Sequence, residues 1–518
     1  MKKTITFLFT ILLVGIFSAN AQQIVFSEPE RDDAKTLNFE ILGKMEGKIL
    51  VYKNTRELHQ ICVYDTEMKL IEKVKLDYLS EKGKVLSTDF IVYSDFVYLL
   101  YQYQYRNTVS AMAVKLNAQG KKMSDPVILD TTNINFNVEN KIYTFINSED
   151  KQKIAAFKIN TKNEKEHVFT SIIFDKMLNQ LEKVKIAIAM PERNDFLSEF
   201  GISNDGEIVC LKQSGTNQND NINKVSLLVK SLGSISFNNN NLPINKIFLD
   251  DTRIKIDNRN KHFIITSFFS KIRRGNIDGI YYTLWDASTN KEILNATTTF
   301  TDEYRADIKG DGQIKMAFND FYLKNLILRK DGGFMIIAEA EYVTARGNTL
   351  NRWDYMNSPL NSFGGGLYNN YSYNFGSFYP WNNGYYNYGG MNNNLGGNTK
   401  QFYADNIAIV SFEPDGKMEW SNVIRKTQSD DETDNFISYG IVNSGDQLHF
   451  LFNIQDKKSS MLTDQSISPV GQIDRSPTIK SLDKGYDFMP KHIKQVGLKQ
   501  AIVPCIYRGY TIFAKIEF

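Results

Sequence analysis

The densest chemistry in the chain is aromatic. Trp353, Tyr355, Phe363, Tyr368, Tyr371, Tyr373, Phe375, Phe378, Tyr379, Trp381, Tyr385, Tyr386 and Tyr388 crowd into one stretch, interleaved with Asn and Gly. From Tyr355 to Thr399 there is no Asp, Glu, Lys or Arg, in a chain that is 23% charged. Rings on a pliable backbone supply large amphipathic contact area at small rotamer cost, which is the chemistry of an adaptable protein-binding surface. All of these residues except Phe363 form the predicted partner-binding set. The same composition also suits a passive disordered loop, stacking on sugars, or self-association, and the sequence leaves those readings open.

Residues that would carry catalysis or hold a metal are present but not arranged for it. His59, His167, His262, His449 and His492 are isolated, with no HExxH and no paired ligand spacing. The run Asp307-Ile308-Lys309-Gly310-Asp311-Gly312 opens like a calcium loop, but Lys309 takes a ligand position and Phe318 stands where the closing Glu belongs. A turn between strands is expected there instead. No GxSxG, GxxxxGK or Cys–His protease signature occurs. Cys62, Cys210 and Cys505 lie in apolar runs without CxxC spacing, which reads as buried small hydrophobes and not as a disulfide framework. Asp65, Asp175 and Asp286 recur at one repeat position, as turn-stabilising residues do, whereas a glycosidase needs two carboxyls converging to roughly 5–10 Å. No catalytic residue, metal or cofactor is therefore expected.

The elements that must position the aromatic stretch are strands. Lys48-Ile49-Leu50-Val51-Tyr52-Lys53 shows the alternation, bounded by turn residues, and helical periodicity is weak throughout. Residues 63–76 (VYDTEMKLIEKVKL) and 173–186 (IFDKMLNQLEKVKI) are copies of one hairpin, with looser copies at 114–129, 284–296 and 411–424. Taking Asp65, Asn117, Asp175, Ser231, Asp286, Glu413 and Asp464 as markers, the steps are 52, 58, 56, 55, 127 and 51 residues. Four strands per roughly fifty residues is the form of a β-propeller blade, in which a ring of sheets buries both faces of each. The fold class expected is all-β, a single β-propeller of four-stranded blades. The markers count seven blades, and the strands His492–Val496, Ala501–Arg508 and Tyr510–Phe518 make an eighth if Gln23–Ser27 supplies its outer strand. Eight is the expected number and seven the alternative. An outer-membrane β-barrel would recur every ten or so residues with an apolar outward band, which a period near fifty does not match.

The one long step contains the uncharged stretch. Strands one and two of the sixth unit are expected near Phe321–Leu328 and Gly333–Val343, and strand three at Phe402–Phe412. The insertion, residues 344–401, thus joins strands two and three of the sixth blade within a propeller domain spanning 22–518. In a four-stranded meander the 2–3 connections and the links between blades emerge on one face. The insertion should share that face with the loops Tyr105–Thr108, Asn160–His167, Gly215–Lys224 and Lys271–Asp278. A structureless loop this long in a compact domain is either functional or disordered.

Lys2-Lys3, the apolar run Ile5–Phe17 and Ala19-Asn20-Ala21 describe a secretory signal peptide over residues 1–21. That run is too short for a transmembrane helix, and no later run approaches 18 apolar residues. A net charge of +2, with basic residues scattered among acidic ones, gives no nucleic-acid surface. With its signal peptide, its LEKVKI-type hairpins and its Asn/Tyr/Gly loop, the chain resembles exported β-propeller proteins of the Bacteroidota. Within that group it is similar in type to plug subunits of the type 9 secretion translocon. The resemblance implies a non-enzymatic periplasmic protein, associated with the outer membrane, that docks onto an envelope complex and closes or regulates a protein-secretion channel. No functional residue carries over from it. The alternative is an exported propeller that binds or cleaves carbohydrate, on fold analogy alone.

Overall fold

Ile154, Ala155, Ala156 and Phe157 are consecutive, fully buried, and serve two different cores. Ile154 and Ala156 join one apolar cluster with Tyr98 and Leu100, whereas Ala155 and Phe157 join another with Phe200 and Cys210. A strand turns successive side chains to opposite faces of its sheet, so a strand apolar at every position needs a neighbour on each side. The computed structural model supplies those neighbours as a ring. It describes residues 23–30, 37–55, 58–79, 83–135, 142–163, 165–215, 221–309, 314–345, 348–349, 352, 400–431, 433–456, 459–476 and 485–518.

Among the described residues the sheets make eight antiparallel blades, each a meander running outward from the axis. The first is Leu37–Met45, Lys48–Thr55, Leu58–Tyr64 and Leu70–Lys75. In the eighth, Lys494–Gly497 is innermost, Gln500–Tyr507 and Tyr510–Glu517 follow, and Gln23–Phe26 pairs with Tyr510–Glu517 as the outer strand. Eight apolar clusters, one between each pair of adjacent blades, close the circle, the last joining Phe39 and Val51 of blade one to Phe513 and Ile502 of blade eight. The alternative of seven blades is excluded by that closure. Between blades seven and eight Gly440 lets the backbone of Pro490 approach, since a Cβ there would lie 2.3 Å from its carbonyl oxygen.

The recurring acidic markers do the turn work their spacing implied. Asp65 Oδ1 accepts the N–H groups of Glu67 and Lys69 at 2.9 and 2.8 Å, and Asp175 Oδ1 those of Met177 and Asn179 at 2.8 and 2.9 Å. Asn117 repeats the pattern toward Gln119 and Lys121. These turns precede the outermost strands, whose charged faces are exposed, as in Gln180–Ala189. A second set of turns, between strands one and two, is latched from blade to blade. Asp150 N–H donates to Asn204 Oδ1 at 3.1 Å, and Asn204 N–H to Asn258 Oδ1 at 2.8 Å.

Three expectations change. Asp464 is not a turn residue: it is buried inside the strand Ser459–Ile467, and the seventh turn is made by Ser468, whose hydroxyl accepts Gln472 N–H. Asp307–Lys309 is not a turn between strands but the last turn of an α-helix, Asp302–Lys309, and residues 310–312 lie outside the described residues. Thr301 caps that helix by accepting Tyr304 N–H at 3.2 Å, Asp302 and Glu303 occupy its positive end, and Tyr304 and Ile308 bury between blades five and six. Third, the sixth-blade ladder runs on to Ala345 and Lys400, so residues 344, 345, 400 and 401 belong to strands and not to the insertion loop. Val343 and Phe402 bury there with Tyr322 and Ile437, which holds the pair together beyond the blade edge.

Candidate functional site

The predicted partner-binding residues, Trp353, Tyr355, Tyr368, Tyr371, Tyr373, Phe375, Phe378, Tyr379, Trp381, Tyr385, Tyr386 and Tyr388, lie outside the described residues. Their root is described. Phe334–Ala345 and Lys400–Phe412 span 12 and 13 residues, against 8 or 9 for the second strands of blades one, two, four, five and seven. Past Ala340, where the innermost strand stops pairing, the two continue as a stalk. Short strands flank it, Asn348–Thr349 on one side and Ser429–Asp430 on the other. Tyr342 stacks on Tyr403 across the stalk at 4.5 Å between ring centroids.

Arg352 pins the chain that leaves this stalk. Its Nε and Nη2 donate to the two carboxylate oxygens of Asp250 at 2.6 and 3.1 Å, and Nη1 donates to the carbonyls of Phe321 and Asn319 at 2.6 and 3.1 Å. The guanidinium also lies over the Tyr322 ring, 4.3 Å from its centroid. Burial works against the Arg352 charge, and Asp250 more than restores it. Burial pushes the Asp250 carboxyl up while Arg352 draws it back. The insertion therefore sets out from the rim of the axis, over the inner strands of blades five and six.

Beneath this rim several acids of blades four to six meet cations. Glu339 Oε1 sits 2.7 Å from Lys426 Nζ, both fully buried, and Glu341 Oε2 is 2.6 Å from Lys324 Nζ. Arg253 bridges Glu199 at 3.2 Å and Asp251 at 2.8 Å. Glu199 and Asp251 hold left-handed backbones, φ +56° and +55°, at bulges of two adjacent inner strands. Such strain in non-glycine residues persists where the surroundings over-determine it; here two bulges aim carboxylates at one guanidinium. Burial still pushes the Glu199 carboxyl up to about 7, against the pull of Arg253.

The opposite end of the axis, on the face of the 1–2 turns, opens as a cavity of about 930 Å³ lined by Glu40, Lys151, Lys255, Asn443, Lys494 and neighbours. Burial pushes the Glu40 carboxyl up to about 8, with Lys494 opposing and Asp89 adding to the shift.

One constellation has the distances of a hydrolytic triad. Ser444 Oγ lies 3.2 Å from His449 Nε2, and His449 Nδ1 lies 2.9 Å from Asp464 Oδ2. Its roles are wrong for the reaction. The Ser444 hydroxyl is buried and donates to Asp446 Oδ1 at 2.7 Å, Gly445 N–H is engaged by Asn443 Oδ1, and Phe518 covers the imidazole at 4.6 Å. A nucleophile needs its proton on the base and an open approach; this one fixes a turn. Among the described residues no group of three His, Cys, Asp or Glu is placed to hold a metal, and the three cysteines are buried.

The markers that revealed the blades sit in outer hairpins, whereas most of the axial charges sit on inner strands and their turns, which share little sequence, and so they escaped the repeat comparison. Arg352 had a faint signal, as the last basic residue before the uncharged stretch.

No protein-family model matches the chain, and no curated protein does. Solved structures it is similar to include the polysaccharide lyase Uly1, at 8% identity over 96% of this chain and 99% of that one, with a TM-score of 0.34. Another is prolyl oligopeptidase B from Galerina marginata, at 10% identity over 94% of this chain, with a TM-score of 0.38; the chain spans 56% of that peptidase. A third is the dihydro-heme d1 dehydrogenase NirN, at 9% identity, 92% and 70% coverage, and a TM-score of 0.35. Likeness at this level carries no argument about activity. The chain is an eight-bladed β-propeller on its own sheet topology, and no helix among the described residues is long and apolar enough to cross a membrane.

Proposed function

We propose that this is an exported, non-catalytic interaction propeller that docks onto an outer-membrane or periplasmic protein complex through the face bearing the insertion. The observation that carries the reading is the root: an uncharged aromatic segment is mounted on a strand-paired stalk and clamped by a buried Arg352. Rings presented from a rigid base lose less entropy on binding than rings on a free tether. In this reading the twelve aromatic residues make the contact, and docking closes or regulates a protein-secretion channel. Replacing residues 355–399 with a short Gly-Ser linker should leave a folded protein that no longer co-purifies with envelope proteins after gentle membrane solubilisation. Undiminished co-purification would refute the reading.

A further inference from the structure

The axial cavity on the face of the 1–2 turns is walled by first strands or first turns of seven blades, and its wall carries eight basic against three acidic side chains. Two of the basic groups are engaged by acids beside them, Arg329 by Glu419 and Lys324 by Glu341. Others turn to neutral acceptors: Lys44 Nζ donates to the Gln500 amide oxygen at 3.1 Å, and Lys151 Nζ to the Val92 carbonyl at 2.7 Å. Of the three acids, Asp257 has both oxygens engaged in its own turn, by the N–H groups of Arg259 and Asn260 and by the Asn260 side chain.

Three lysines come to this void from three blades. Lys151 belongs to the third, Lys255 to the fifth and Lys494 to the eighth. Burial pushes the ammonium groups of Lys151 and Lys494 down; Glu40 pulls Lys494 the other way, and the Lys151 charge adds to its lowering. Lys255 is lowered to about 8 by burial, with Glu149 pulling the other way. Partly desolvated like charges around one void cost folding free energy, and neutral side chains would fill the same wall more stably. A volume near 930 Å³ lies at the upper end of the roughly 300–1,000 Å³ found for small-molecule sites.

We propose that this cavity binds a small molecule carrying two or more carboxylate or phosphate groups, gripped by Lys151, Lys255 and Lys494. The site lies on the opposite face from the insertion and stands whether or not the docking reading does. The test is isothermal titration calorimetry of the whole chain at low salt with inorganic pyrophosphate, citrate and digalacturonate, and with maltose as the neutral control. At least one charged probe should bind with a Kd below about 100 μM, weaken as salt rises, and outcompete maltose; which one binds separates phosphate from carboxylate chemistry. The double variant Lys151→Gln/Lys255→Gln should bind roughly 100-fold more weakly, about tenfold per charge-assisted contact, without a fall in melting temperature. If the double variant does not fold, Lys255→Gln alone should show the tenfold loss. Absence of heat from all three charged probes, binding indifferent to salt, or a folded variant with parental affinity would each overturn the proposal.

Discussion

Removing the Arg352 guanidinium tests whether the insertion has a fixed root. Arg352→Ala deletes a bidentate pair to Asp250 and two donors to backbone carbonyls, and leaves Asp250 buried without its cation. Breaking one side of a buried pair costs about 3–5 kcal/mol. Unfolding entropy near 2.1 cal/mol/K per residue, over roughly 400 ordered residues, is about 0.8 kcal/mol/K, so 4 kcal/mol lowers Tm by about 5 °C. Differential scanning calorimetry of Arg352→Ala, Asp250→Asn and the double variant forms a cycle. The double variant should be less damaged than the two singles combined by about 2 kcal/mol or more, because the second change removes a charge the first had orphaned. An Arg352→Ala shift under 1 °C, or strict additivity, would mean that the contact is an exposed-type pair worth little and that the root is not anchored.

Other outcomes follow from single groups. The Glu199 carboxyl titrates near 7 when folded, above its unfolded range, so its contribution is full at low pH and is lost as pH rises from about 4.5 through 7. Glu199→Gln should therefore gain stability relative to the parent by up to about 3 kcal/mol between pH 4.5 and 8, read from urea midpoints; parallel pH curves would contradict this. Gln102 accepts the N–H groups of Ile142 and Tyr143 and donates to Ser87 and the Tyr143 carbonyl, so Gln102→Leu strands three backbone groups. A loss of about 3 kcal/mol or more is expected in urea unfolding, and a loss below 1 would show that the amide is dispensable. A fluorophosphonate serine-hydrolase probe should leave Ser444 unlabelled in the native protein, and labelling seen by mass spectrometry would restore the triad reading.

Much of the ring was legible in sequence because turn chemistry repeats. Asp65, Asn117, Asp175 and Asp286 each accept the backbone N–H two residues on, in blades one, two, three and five, so residue type and spacing are both constrained. Asp464 misled because polar type alone was matched: it is a buried partner of His449, and Ser468 does the turn's work with a weaker acceptor. The helix after Thr301 was missed because two turns offer only Tyr304 and Ile308 as a periodic pair. The axial cavity could not be read, since its lysines are hundreds of residues apart and only closure of the ring brings them together. The position of the insertion was legible from one long interval, but its clamp was not, because a lone Arg beside a neutral stretch does not name Asp250 as its partner.

The ladder between Gln23–Phe26 and Tyr510–Glu517 also bears on how the molecule is assembled. Seven blades can be completed from neighbouring sequence, while the eighth needs the two ends of the chain at once. Loop-closure entropy grows only as (3/2)RT ln n, so joining ends nearly ten blade-lengths apart costs about 2 kcal/mol more than closing one blade. By this measure the seam is thermodynamically modest. Until it forms, Tyr510–Glu517 has an open edge able to pair with another chain. A chain delivered from its amino end would carry the matching strand from the start and hold it in reserve for that edge.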